Sequence, residues 1–423
     1  MLLLFWRNSS FLIVTNNDRY MNKFNRFFCG FLLSIFFVST TFLFAVPPVR
    51  DANSIGEKVP ITGDIEQLKY FFEALDRSSS EKIRIAHYGD SIIWGDVITE
   101  NLRDDFQNKF GGHGIGFVSA CTDDLSARKT IFHEFSDDWE WGSVFTKNRD
   151  KLPIGIAGTV GKASSNSTLS YRSKMVSPAA SSFSEFSIFY SNTNSNSSMR
   201  YKTNGGKEKS VSFSSGSKLN ETKIDFGKKI KDIEIELVNC DGAYFYGVTL
   251  DSGNGIYIDN FPFRGNSGVS LRDLDDKLLS GFSDNLNYKL FILQFGVNLA
   301  ASGNVKYQWY ERMMLKIIKK IKTHFPETSI LFISPGDLGQ KQGRTMQTHP
   351  EIKKFIAVQE KIAEKGNVAF WNMFEAMGGE NSISNWVEAK PPLAFKDYCH
   401  LTWEGGEIIS AKLVEALMAA RAK

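Results

Sequence analysis

Gly89-Asp90-Ser91 and Asp397-Tyr398-Cys399-His400 lie far apart in the chain and together hold the three side chains of nucleophilic acyl chemistry. A serine hydroxyl is a weak nucleophile until a neighbouring base takes its proton. A histidine is that base when a carboxylate fixes its tautomer and stabilises the imidazolium. Asp397 stands three residues before His400. On a turn, that spacing sets the carboxylate against one imidazole nitrogen and leaves the other facing outward. Two further runs offer donors to a developing oxyanion. Asn298 ends Phe295-Gly296-Val297-Asn298 and carries a side-chain amide N–H. Arg264-Gly265-Asn266-Ser267-Gly268 presents backbone N–H groups unscreened by side chains. Each run alone is a common turn or cap sequence; the argument rests on all four occurring together.

These residues need elements to hold them. Ile65, Leu68, Phe72 and Leu75 recur at helical spacing, Ile83-Arg84-Ile85-Ala86 reads as a short strand, and Val97 to Phe110 reads as a helix stopped by Gly111-Gly112. Ser91 therefore falls just beyond the carboxyl end of a strand, where open α/β sheets bind their ligands. From about 262 the same texture returns. Leu290 to Phe295, Ser329 to Ile333 and Val368 to Trp371 read as buried strands. Helices are expected around Met314 to Phe325, Ile352 to Ile362 and Glu404 to Ala420. Alternation of this kind predicts a mostly parallel sheet with helices on both faces, a three-layer αβα fold. Between 121 and 261 the helical period disappears. Phe186, Ile188 and Tyr190 alternate, as do Ile233, Ile235 and Leu237, and Asn204-Gly205 is a hairpin signal. This stretch predicts a β-sandwich inserted into one α/β domain made of residues 46–120 and 262–423.

Composition narrows the class. The chain has 423 residues, of which 42% are hydrophobic, 13% aromatic and 23% charged, so disorder, collagen and coiled coil are excluded. A net charge of +3 on this length gives no reason to expect nucleic acid as a partner. Gly161-Lys162 lacks the setting of a phosphate loop, and neither a zinc-peptidase nor an EF-hand motif occurs. Phe27 to Val46 is an uncharged apolar run preceded by Lys23 and Arg26 and ending at Ala45. It reads as a leader (1–45, its start at Met1 or Met21) that is cut near Val46, or as a retained anchor. Either way the chain is expected to be exported, touching a membrane only through this segment if uncut. Cys121 and Cys240 are candidates for a bridge in an oxidising compartment, and Tyr190, Tyr201, Tyr244 and Tyr246 are candidates for stacking on sugars.

Ser91, Gly268, Asn298 and His400 occur in an order and in surroundings that resemble the four blocks of the SGNH (GDSL) hydrolases. The run from His87 to Ser91 and on through Gly95-Asp96 to Arg103 resembles the first block of bacterial peptidoglycan O-acetylesterases. Ala376-Met377-Gly378-Gly379, Trp386, Pro391-Pro392-Leu393-Ala394 and Asp397 to Thr402 resemble their last. The resemblance implies a flavodoxin-like αβα domain carrying a carbohydrate-binding-like sandwich. It also implies a catalytic Ser91–His400–Asp397 triad and an oxyanion hole of Gly268 and Asn298, with Gly265 competing with Gly268. The implied reaction is removal of O-acetyl groups from an envelope glycan, peptidoglycan first, with no metal or organic cofactor. An O-acetyltransferase with a sugar hydroxyl as acceptor, or a non-catalytic glycan binder, are the rival readings. The chain departs from the pattern at Leu299, where an acidic residue is usual, and at Ile92-Ile93, which predict an apolar pocket wall. No role is assigned to Cys399.

Overall fold

The computed structural model describes residues 58–123, 127–144, 151–303 and 305–422. The expected leader at 1–45 lies outside them. Among the described residues no helix is long and apolar enough to cross a membrane.

Five strands run parallel in the spatial order Ala369–Trp371, Ser329–Ile333, Tyr288–Gln294, Lys82–Gly89 and Gly255–Pro262, and Thr62–Gly63 pairs antiparallel at the far edge. Side chains alternate across a strand, and here the alternation divides two cores. Ile83, Ile85, Leu290, Ile292, Leu331 and Ile333 join one, covered by the helices Lys69–Asp76, Thr99–Phe110 and Trp403–Arg421. Ala86, Tyr88, Phe291, Leu293, Ile330 and Phe332 join the other, under Asp276–Asn285, Tyr307–His324 and Glu351–Gly366. Both faces of the sheet are buried, which is why its strands read as continuous apolar runs. This is the three-layer αβα arrangement.

In sequence between Lys82–Gly89 and Gly255–Pro262 lie two antiparallel sheets, one of five strands and one of six, the latter including His113–Ser119. They enclose a third core in which Leu169, Tyr171, Ile233 and Ile235 meet Phe186, Ile188, Phe245 and Val248. The borders differ from the expected 121–261. His113–Ser119 pairs with Tyr244–Ser252, and Gly255–Pro262 belongs to the parallel sheet, matched residue for residue with Lys82–Gly89. The reason is Asp259. A carboxylate among Ile256, Tyr257 and Ile258 makes that strand look half-solvated, whereas Asp259 is buried and accepts from Arg84 Nη1 (3.0 Å), Tyr288 Oη (2.6 Å) and the Phe117 N–H (2.7 Å).

Two smaller expectations also change. Cys121 and Cys240 are both free and buried. Tyr190, Tyr201 and Tyr246 are core residues of the antiparallel region, unavailable for stacking on a sugar, while Tyr244 is half-buried.

Candidate active site

Ser91 opens a short 3₁₀ turn, Ser91–Asp96, directly after the strand Lys82–Gly89. Asp90 caps the turn: its Oδ1 accepts from the Ile92 N–H (3.1 Å), and its Oδ2 accepts from the Gly296 N–H (3.3 Å). One buried carboxylate thus ties the serine turn to the loop that carries Asn298. Burial pushes the Asp90 carboxyl up to about 6, against the lowering effect of its backbone donors. Ile92 and Ile93, expected to wall a pocket, turn inward to the core below the sheet instead.

Beneath the turn, His87 bridges Thr99 Oγ1 and Gln294 Oε1 at 3.0 Å each. Thr99 reaches on to Asn260 Oδ1 (3.2 Å), whose amide nitrogen donates to the Ile93 carbonyl (3.1 Å). Burial pushes His87 down to about 4, so it is neutral and serves as a cross-brace between strand ends.

The Asp397–His400 turn is built by its own carboxylate. Asp397 Oδ1 accepts from the backbone N–H of Cys399 and of His400, both at 3.0 Å, an Asx-type turn. Tyr398 takes a left-handed conformation (φ 56°) to close it. Asp397 Oδ2 is then left 2.7 Å from His400 Nδ1, and His400 Nε2 lies 2.8 Å from Ser91 Oγ. The Asp397 hydrogen bond raises the His400 pKa above its ordinary 6.5, with burial opposing. Burial alone would raise Asp397, but the hydrogen bonds from His400 and from the Cys399 backbone outweigh it and lower the carboxyl. Asp397 and His400 are 49% and 38% exposed, so this pair supplies orientation more than stability. Cys399 packs against both cores flanking the sheet, and burial pushes its thiol up to about 12, which makes it a packing residue.

The helix Trp403–Arg421 fixes this turn against the serine turn. Thr402 caps it, accepting from the Gly405 N–H (3.2 Å). Gly406 allows the closest approach: a Cβ there would stand 2.0 Å from the Val97 carbonyl oxygen.

Asn298 lies in the short helix Val297–Ala301, and Gly268 in a left-handed conformation (φ 85°) against the Phe295 ring, which a Cβ would meet at 2.8 Å. Both donors are held by a residue to which the sequence assigns no role. Asn266 accepts from Asn298 Nδ2 through its carbonyl (3.0 Å) and from the Gly268 N–H through its Oδ1 (2.9 Å). Asn298 keeps a second amide hydrogen, whereas the single Gly268 N–H is committed to Asn266. Leu299 packs against the core on the Tyr307–His324 side.

The geometry is that of a serine nucleophile with its base and orienting acid already in contact. The αβα domain that carries it has the fold of the SGNH hydrolases. Among solved structures the chain is similar to a peptidoglycan O-acetylesterase, at 19% identity and a TM-score of 0.68, over 86% of this chain and 99% of that one. An acetyl xylan esterase matches at 17% identity and a TM-score of 0.29, over 38% of this chain and 80% of its own. A family two carbohydrate esterase from Cellvibrio japonicus matches at 9% and 0.27, over 74% and 98%. No protein-family model and no curated relative matches the chain.

Proposed function

We propose that this chain is an SGNH-type serine esterase that removes O-acetyl groups from a cell-envelope glycan, peptidoglycan first among the candidates. The observation that carries this is the unbroken hydrogen-bond chain from Ser91 Oγ through His400 to Asp397. His400 Nε2 takes the Ser91 proton as Oγ attacks the acetyl carbonyl. The second Asn298 amide hydrogen and the Ser91 N–H stabilise the oxyanion, and the Gly268 N–H joins them on leaving Asn266. Imidazolium returns the proton to the departing sugar oxygen, and water then cleaves the acetyl-serine by the reverse route. Asp397 stays ionised throughout.

The peptidoglycan reading is supported by the likeness of fold to an enzyme of that name over almost the whole of its length. Acetate release decides it. O-acetylated peptidoglycan should be deacetylated faster than acetylated xylan, and p-nitrophenyl acetate should be turned over as a minimal ester. Activity on the small ester alone would keep the esterase and remove the glycan. Export belongs to the same reading. The mature protein should begin near Val46, and an intact Phe27–Val46 segment in membrane fractions would favour an anchor.

A further inference from the structure

Asp90 pins the start of the turn Ser91–Asp96, but its far end needs a restraint of its own. Gly95 and Asp96 both take left-handed backbone, at φ 75° each. Glycine does so freely, whereas an aspartate holds that conformation only where its surroundings over-determine it. Asp96 is buried. Its Oδ2 accepts from Thr130 Oγ1 (2.5 Å) and from Arg128 Nε (3.2 Å), and Arg103 Nη2 stands 3.7 Å from its Oδ1. Burial alone would raise this carboxyl, but Arg128 and Arg103 outweigh it and hold it down at about 2. Asp96 is therefore ionised wherever His400 is neutral, and its bonds do not switch with the triad.

Two of these partners come from one stretch of chain, 127–130. The Lys129 N–H donates to the Gly95 carbonyl (3.2 Å), and a Cβ on Gly95 would stand 2.8 Å from the Ala127 carbonyl oxygen. Lys129 Nζ lies 4.4 Å from the centroid of the Trp403 ring, the first residue of the helix after His400. The stretch thus touches both the end of the serine turn and the start of the helix that follows the histidine. It continues into Ile131–Phe135, the edge strand of the five-stranded antiparallel sheet. Lys174 holds it from that side: its N–H donates to the Thr130 carbonyl (2.9 Å) and its Nζ to the Arg128 carbonyl (2.6 Å).

We infer that Arg128 and Thr130, acting through Asp96, are positioning residues for Ser91, given that Ser91 is the nucleophile of the proposed esterase. The antiparallel region then does more than flank the parallel sheet. It supplies side chains that fix the backbone of the serine turn, and with it the 2.8 Å contact of Ser91 Oγ with His400 Nε2. Both residues act on Ser91 through Asp96 rather than on the ester, so their loss should slow the chemical step without weakening substrate binding.

The test is steady-state hydrolysis of p-nitrophenyl acetate by the full chain, beside Thr130→Val, Thr130→Ser and Arg128→Gln. Valine keeps the shape and deletes the hydroxyl, and serine restores it. A small displacement of the serine turn should lower kcat about tenfold in Thr130→Val and in Arg128→Gln, with KM unchanged. Thr130→Ser should return kcat to within about twofold of wild type. Circular dichroism melts run alongside keep the comparison to temperatures at which each variant is folded. A merely structural role would lower the melting temperature and leave kcat alone. Wild-type kcat in folded Thr130→Val, or a Thr130→Ser protein as slow as Thr130→Val, would overturn the inference. If Thr130→Val does not fold, Arg128→Gln is read in its place, and wild-type kcat there overturns the inference alike. Labelling of the wild type by a fluorophosphonate separates the two readings. No adduct on Ser91 removes nucleophile and positioning together, whereas an adduct with unaffected variants removes the positioning alone.

Discussion

His400 has a carboxylate on one side and a hydroxyl on the other, and its protonation sets when the site works. A base must be neutral to accept a proton. Because Asp397 raises the His400 pKa above 6.5, the acid limb of kcat/KM should lie above pH 6.5, activity rising as His400 loses its proton. Asp397→Asn removes the group that raises it, so the limb should move to lower pH while the plateau falls by about 10⁴. Ser91→Ala and His400→Ala should each lower turnover by about 10⁴–10⁶, and the double variant by little more, because the two act as one unit. Asn298→Ala removes one oxyanion donor and should lower kcat by about 10²–10³ with KM little changed. Asn266→Ala keeps the backbone carbonyl that accepts from Asn298 and removes only the Oδ1 that accepts from the Gly268 N–H, so it should lower kcat far less than Asn298→Ala. Thermal melts of each variant separate these effects from unfolding.

The elements that position these residues were mostly legible in the sequence. Strands buried on both faces write long apolar runs, and amphipathic helices write a 3.6-residue stripe. Ser329–Ile333 and Thr99–Phe110 followed from pattern alone. Ser91, Asp397 and His400 were expected together because their runs occur in one chain and resemble SGNH blocks; each run alone reads as an ordinary turn or cap. What stayed hidden was non-local. Nothing in Asp90 announces that its second oxygen accepts from Gly296, and nothing in Asn266 announces that it spans two donors. Ile92 and Ile93 looked like a pocket wall because period alone does not say which face of a short 3₁₀ turn meets the core. Asp90→Ala would leave the buried N–H groups of Ile92 and Gly296 unpaired and should destabilise the fold by roughly 1–3 kcal/mol in urea titration. Asp90→Asn keeps one acceptor and should lose less. Gly406→Ala drives a methyl into the Val97 carbonyl, so it should lower both the melting temperature and turnover by moving His400 away from Ser91.

Across the whole molecule, the antiparallel sheets and the parallel sheet share more than a boundary. Phe117, Phe189 and Tyr246 from the former pack in one core with Phe261 of the latter and Phe282 of the helix Asp276–Asn285. Arg84 of the parallel sheet pairs with Asp251 on one side and Asp259 on the other, both buried. Excision of 121–261, the stretch that the sequence reads as an insert, would delete all but the last residue of Gly255–Pro262, the neighbour of the strand leading to Ser91, and would leave Arg84 without its buried partners. Replacement of that stretch by a Gly/Ser linker should give insoluble or unfolded protein. Asp259→Ala, which leaves Arg84 short of a buried partner, should destabilise the fold by roughly 3–5 kcal/mol. The central claim remains that Ser91 is the nucleophile of this assembled site, and a serine-directed fluorophosphonate tests it most directly. Peptide mapping of the labelled full chain should find the adduct on Ser91, with labelling abolished in Ser91→Ala and strongly slowed in His400→Ala. An adduct on another serine, or a folded Ser91→Ala protein that keeps most of its esterase activity, would contradict the account.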